Sequence, residues 1–305
     1  MKKLAIIISS LLVSSQAIAD NQATTNLTDS DTNTATVTQL LTGGSLGNSA
    51  TLNLNQADLN AVTVTQVGDV NGADVELNGN GPGVASLNTV VVNQVGQGNT
   101  STSKVRGSGD QNTLITLQNG GGNISTIQAR GNSEYNTLSV TQTGNTNVAD
   151  IKAKGPSWAD YNQFAISQVG DNNNSTILAE GADNNIANVT IAGNGNVTSS
   201  TFNPYTADYN TVSIDVVNGN SNTITTSVNG GGASSSVDGN NVDIDVASSD
   251  FNILSTIQTG EGSGSVMNLS NSSLSNTFSS VQGDMSQSLI TANNSSNNMV
   301  FINQH

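Results

Sequence analysis

One twenty-residue skeleton recurs five times in this chain without error, and it restricts the fold more than any other feature. Over residues 136–155 it reads NTLSVTQTGNTNVADIKAKG: Asn, five residues, Gln, one residue, Gly, two residues, Asn, seven residues, Gly. The same spacing returns over 60–79, 88–107, 112–131 and 162–181. A chain that repeats so short a unit stacks copies of one supersecondary element along an axis.

The unit has the period of a strand. Counting from the leading Asn60, Asn88, Asn112, Asn136 and Asn162, the second position holds Val62, Val90, Leu114, Leu138 and Phe164. The fourth holds Val64, Val92, Thr116, Val140 and Ile166, and the sixth Gln66, Gln94, Gln118, Gln142 and Gln168. Alternate residues therefore face one interior. Gly68, Gly96, Gly120, Gly144 and Gly170 follow, where a turn would need positive φ or no side chain. A second strand begins after Asn71, Asn99, Asn123, Asn147 and Asn173, with small and then aliphatic residues inward. Each unit reads as strand, turn, strand, turn.

The repeat is strong over 60–181, degenerate over 185–250, where Ile191 and Val216 stand in the Gln position, and resumed over 252–304. The Asn-to-Gln step occurs nine times, from Asn33–Gln39 to Asn298–Gln304, and takes nine of the seventeen glutamines. The expected fold is all-β: a β-solenoid of about 11–12 repeats, mean about 24 residues, with two facing parallel sheets. Equivalent residues then lie roughly 4.8 Å apart along the axis. Inward amides at that spacing satisfy one another in a ladder, where a lone buried amide would cost about 1–3 kcal/mol. The expectation is one Gln ladder that lapses over 185–250 and resumes at Gln258, Gln282 and Gln304.

Ahead of the repeat, Lys2 and Lys3, an apolar run over 4–13 and Ala17-Ile18-Ala19 predict a secretory signal peptide over 1–19. Residues 20–32 are polar and read as a flexible leader or secretion segment, and 33–305 as the repeat domain. The exported chain keeps 22 acidic and 5 basic residues, a balance that disfavours nucleic acid as a partner. There is no cysteine, so no disulfide supports the fold, and aromatic residues make up only 3%, too few for a deep globular core.

The last strand, over 298–304, is apolar, and no capping segment follows it. An uncapped strand edge is a template for another copy of the chain, and head-to-tail contact between unlike ends grows into a filament. Here the residues point to a family. The run NTVVVNQVGQGNTS, like NTLSVTQTGNTNVA, resembles the curlin repeat of bacterial curli fibres over 33–304. The resemblance implies a secreted β-solenoid subunit of a functional amyloid in the biofilm matrix. It also implies passage through a curli-type outer-membrane pore, and partnership with itself and with a nucleator or major curlin subunit.

The five basic residues of the exported chain, Lys104, Arg106, Arg130, Lys152 and Lys154, all fall on the outward side of the second strand in three successive units. Stacking predicts one column, a contact for an anion such as an acidic exopolysaccharide, although such charges also serve as gatekeepers against lateral sticking. No cofactor is expected. The single histidine, His305, and the absence of cysteine leave no material for a nucleophilic triad or a zinc site, so an enzyme is not expected. Asp29 with Asp31 and Asp243 with Asp245 read as solvated surface pairs. The alternative function is a secreted monomeric solenoid acting as an adhesin or polysaccharide-binding module.

Overall fold

The computed structural model describes residues 5–10, 21–42, 46–79, 85–107, 109–154, 159–181, 183–203, 207–229 and 239–304. The other residues of the predicted signal peptide, residues 230–238 within the degenerate repeats, Gly155 and His305 lie outside the described residues. The chain is an all-β solenoid of two facing twelve-stranded parallel sheets, with one two-stranded pair, Ala57–Asp58 and Ala85–Ser86, beside them. Strands alternate between the sheets along the chain, so each coil adds one strand to each sheet. The first sheet receives Thr34–Leu40, Ala61–Asp69 and their successors to Gln287–Asn293. The second receives Gln22–Thr28, Ser49–Asn55 and their successors to Met299–Gln304. Twelve layers at strand spacing make a rod about 55 Å long.

Register follows the repeat. Thr113–Gly121 pairs with Thr137–Asn145 so that Leu114 meets Leu138, Gln118 meets Gln142 and Gly120 meets Gly144. The interior is one side chain deep from each sheet: Val62 and Val64 from one, Val75 and Leu77 from the other, each at most 1% exposed. The bulkiest filling is a stack of Phe164 and Phe202, whose ring centroids are 5.7 Å apart. Burying these side chains supplies the main drive for folding, about 25 cal/mol per Å² of apolar surface.

Three expectations are corrected. The polar segment expected as a flexible leader carries the strand Gln22–Thr28, which lies in parallel register on Ser49–Asn55. Its inward residues are Ala23, Thr25 and Leu27, too few apolar side chains to register as alternation. Within the predicted signal peptide, Ala5–Ser10 pairs with Thr34–Leu40.

The second correction concerns the glycines. Gly68, Gly96, Gly120 and Gly144 lie inside their strands, at φ 109 to 120°, not in the turns. The left-handed residue comes later, immediately before each buried Asn, as at Val70, Gly98, Gly122, Thr146 and Asn172, with φ between 54 and 69°. Four strand glycines are needed for another reason: a Cβ on Gly68, Gly96, Gly120 or Gly144 would fall 2.0–2.1 Å from the carbonyl oxygen of the next glycine in the column.

Third, the resumed repeats sit half a turn out of phase. Ile253–Gln258, Thr277–Gln282 and Met299–Gln304 belong to the second sheet, whereas the strands ending in Gln39 to Gln168 belong to the first. Gln258 therefore lies over Val228, not over Val246.

Candidate functional site: amide ladders and open ends

Every coil turns twice, and a buried Asn follows most of the turns; Ser263 and Ser286 take its place before the last two strands of the first sheet. At the entrance to the second sheet, Asn48, Asn71, Asn99, Asn123, Asn147, Asn173, Asn196, Asn222, Asn252 and Asn276 are all at most 1% exposed. From Asn71 to Asn276 each Asn uses its side chain completely. The Asn123 Nδ2 donates to Asn99 Oδ1 at 3.0 Å and to the Gly144 carbonyl at 2.8 Å. Asn123 Oδ1 accepts from both the backbone N–H and the Nδ2 of Asn147, each at 3.1 Å. The first sheet has an equivalent ladder from Asn33 through Asn60, Asn88, Asn112, Asn136 and Asn162 to Asn210. These bonds hold each left-handed turn residue, a conformation costing about 1 kcal/mol or more in a non-glycine residue.

The glutamines form two ladders, not one. In the first sheet, Gln39, Gln66, Gln94, Gln118 and Gln142 each donate from Nε2 to Oε1 of the next Gln, at 2.8–2.9 Å, ending at Gln168. Donation runs toward the C-terminus here and toward the N-terminus in the Asn ladders. Each Nε2 also reaches a carbonyl of the second sheet, as from Gln142 to Ile124 at 3.1 Å, so the ladder ties the sheets together. Beyond Gln168 the column continues as Ile191, Val216 and Val246. The second ladder starts with Gln258 donating to Gln282 at 3.2 Å, with Gln304 in register above it.

A middle rung should matter more than an end rung. Gln142→Leu orphans the amide of Gln118 and the Oε1 of Gln168, at an expected cost of about 2–3 kcal/mol. Gln39→Leu orphans only one neighbouring rung, the Oε1 of Gln66, and should cost about half as much. Urea denaturation of the soluble chain followed by circular dichroism checks the order.

Carboxylates extend the ladders at one corner. The backbone N–H of Asp31, Ser86, Glu134, Asp160 and Asp183 donates to Oδ1 of Asp58, Asp110, Asp160, Asp183 and Asp208 respectively, at 2.6–2.8 Å. Burial raises the Asp160 carboxyl above the usual range against the pull of the Glu134 N–H bond, and the Glu134 charge adds to the rise. Burial and then Asp160's charge likewise raise Asp183, while its bond from the Asp160 N–H lowers it. Asp245 is raised by burial and by repulsion from Asp243 and Asp215.

For Glu76, burial opposes ionisation. The hydrogen bond from Asn78 and the charges of Arg106 and Lys104 outweigh it and hold the carboxyl low. A carboxyl raised on folding gives stability present below its unfolded-state value and lost as pH rises through its folded-state value. Asp160, Asp183 and Asp245 therefore each favour the fold more at pH 4.5 than at pH 7, and Glu76 does the reverse. Thermal unfolding at the two values checks this: Asp160→Asn with Asp183→Asn should lower stability at pH 4.5 relative to that at pH 7.

The basic residues form two adjacent columns, not one. Lys104, Gln128 and Lys152 share one register position, and Arg106, Arg130 and Lys154 fall at the position two residues further along the strand. Acidic neighbours partly neutralise them. Glu76 Oε2 lies 2.9 Å from Arg106 Nη2 and 3.5 Å from Lys104 Nζ, and Lys152 pairs with Asp150.

At the C-terminal end the last strands are Gln287–Asn293 and Met299–Gln304, each paired on one side. Leu289, Met299 and Phe301 are 68%, 69% and 67% exposed. No helix or charged strand covers this end among the described residues. Among those residues, no group of three or more His, Asp or Glu is placed to hold a metal ion. The chain matches no family model and no curated protein.

Proposed function

We propose that the chain is an exported structural subunit that polymerises end to end into a curli-like extracellular amyloid fibre. It would pass through a curli-type outer-membrane pore and contribute to biofilm matrix and surface adhesion. The observation that carries this reading is the last described layer, where no further described residue covers the strand edges and Leu289, Met299 and Phe301 are exposed. Such an edge offers backbone groups and apolar surface to an incoming strand. The Asn ladders and the Gln39–Gln168 ladder supply in-register amides of the kind that stabilise stacked identical layers.

The test is incubation of the purified exported chain, followed by thioflavin fluorescence and electron microscopy. The reading expects unbranched filaments whose growth is seeded by preformed fragments. A chain still monomeric after days at high concentration supports instead a secreted monomeric adhesin or polysaccharide-binding module. The Arg106–Arg130–Lys154 column favours an acidic polysaccharide as the ligand in either case. Charge reversal at Arg106, Arg130 and Lys152 should weaken binding to such a polymer or lateral bundling, measured by co-sedimentation.

A further inference from the structure

The half-turn phase shift between the two Gln ladders assigns the geometry of the junction between copies. We propose that successive copies join with a rotation of half a turn about the rod axis. The second-sheet strand Met299–Gln304 then meets the first-sheet strand Thr34–Leu40 of the next copy. This rests on the fibre reading above and on removal of residues 1–19 at export.

Consecutive strands of one coil run in opposite directions, so half a turn exchanges the sheets while preserving strand direction. Beyond residues 1–19 the first described strand is Gln22–Thr28, of the second-strand type, and the last described strand is Met299–Gln304, of the Asn-to-Gln type. With the rotation, the next copy's Gln22–Thr28 follows Met299–Gln304 as the missing half of its unit and lies on Gln287–Asn293. Thr34–Leu40 then lies on Met299–Gln304, and both sheets continue without a break. Without rotation, Gln22–Thr28 stacks on Met299–Gln304 in the second sheet. The first sheet then lacks one strand between Gln287–Asn293 and Thr34–Leu40, the place occupied by Ala5–Ser10 in the uncleaved chain.

The side chains select the same arrangement. Rotated, Asn298 lies below Asn33 and Gln304 below Gln39, reproducing the register of Gln258 with Gln282 and of Gln39 with Gln66. Donation runs toward the C-terminal end from Gln39 to Gln168 and from Gln258 to Gln282. Gln304 is in register with Gln282 but accepts no bond from it, and its Oε1 has no partner. At a rotated junction Gln304 Nε2 would face Gln39 Oε1 of the next copy. Unrotated, the same register places Gln304 against Leu27, which offers no polar partner. Asn298 meets an Asn in either case, Asn33 or Asn21, and does not discriminate. The lapse of Gln at Ile191, Val216 and Val246 thus acquires a purpose: it separates two ladders whose free ends match only across a rotated junction.

The absence of cysteine allows a direct test. Phe301 and Thr36 both point outward and would be lateral neighbours at a rotated junction, within reach of a disulfide. At an unrotated junction Phe301 would neighbour Thr24. The exported chain is prepared as Phe301→Cys/Thr36→Cys and as Phe301→Cys/Thr24→Cys, assembled under reducing conditions, oxidised, and dissolved in denaturant for non-reducing electrophoresis. The inference expects a ladder of covalent multimers from the first variant and only monomer from the second. Fibres that cross-link through Thr24, or through neither position, overturn the rotated junction and leave the fibre reading standing. Failure of the unmodified chain to form fibres overturns both.

Discussion

Gly120→Ala is expected to unfold the middle of the solenoid. The backbone at Gly120 has φ 120°, and an added Cβ would sit 2.0 Å from the carbonyl oxygen of Gly144 in the next layer. The opposing atom is backbone in a hydrogen-bonded strand, so relief requires separating two layers. The displacement also pulls on the Gly120 carbonyl, which accepts from Asn99 Nδ2 at 2.9 Å. A loss of more than about 3 kcal/mol is expected, beyond the range of ordinary substitutions. Gly72→Ala is the matched control, because a Cβ there meets nothing within 4 Å. It should change stability by less than about 0.5 kcal/mol. Urea midpoints for the two variants, measured on soluble chain, decide the matter.

Asn123→Ala should be nearly as damaging, for an electrostatic reason. The substitution removes four hydrogen bonds and leaves the Gly144 carbonyl and the backbone N–H of Asn147 without their partner. Orphaned buried groups cost about 1–3 kcal/mol each, so a total of roughly 3–5 kcal/mol is expected. The native chain supplies a comparison. At the Asn240 step of the first-sheet ladder the next residue is Ser263, which keeps the N–H donation to Asn240 Oδ1 at 2.6 Å and uses its hydroxyl on the Gly283 carbonyl. Asn123→Ser should therefore recover part of the loss. Equal destabilisation by Ala and Ser would mean that packing, not the polar ladder, holds this corner.

Much of this architecture was legible in the repeat itself. Alternation of residues such as Val62, Val64 and Gln66 identified the strands and their inward faces, and recurrence in register identified the first-sheet Gln ladder. What escaped has physical causes. Strands of both sheets open with a buried Asn through most of the rod, so an Asn-to-Gln step cannot tell which sheet it belongs to, and Gln258 lies in the second sheet, not the first. Glycine usually signals a turn, but Gly120 is required by the closeness of the next layer, while left-handed turn positions are filled by Val70 or Thr146. The strand Gln22–Thr28 offers only Ala23, Thr25 and Leu27 inward, a face that becomes a strand only because Ser49–Asn55 is already there to pair with it. The charge columns could be placed on one face from spacing alone. Their division into two register positions, and the acids beside them, needed three-dimensional neighbours.

The central proposal is that the chain, once residues 1–19 are removed, continues its own solenoid from copy to copy. X-ray diffraction from aligned fibres of the purified exported chain tests it most directly. The account predicts a meridional reflection at about 4.7–4.8 Å from stacked strands, with an equatorial reflection near 10 Å from the facing sheets. A chain that remains monomeric under assembly conditions, or filaments without the 4.7–4.8 Å reflection, would contradict it.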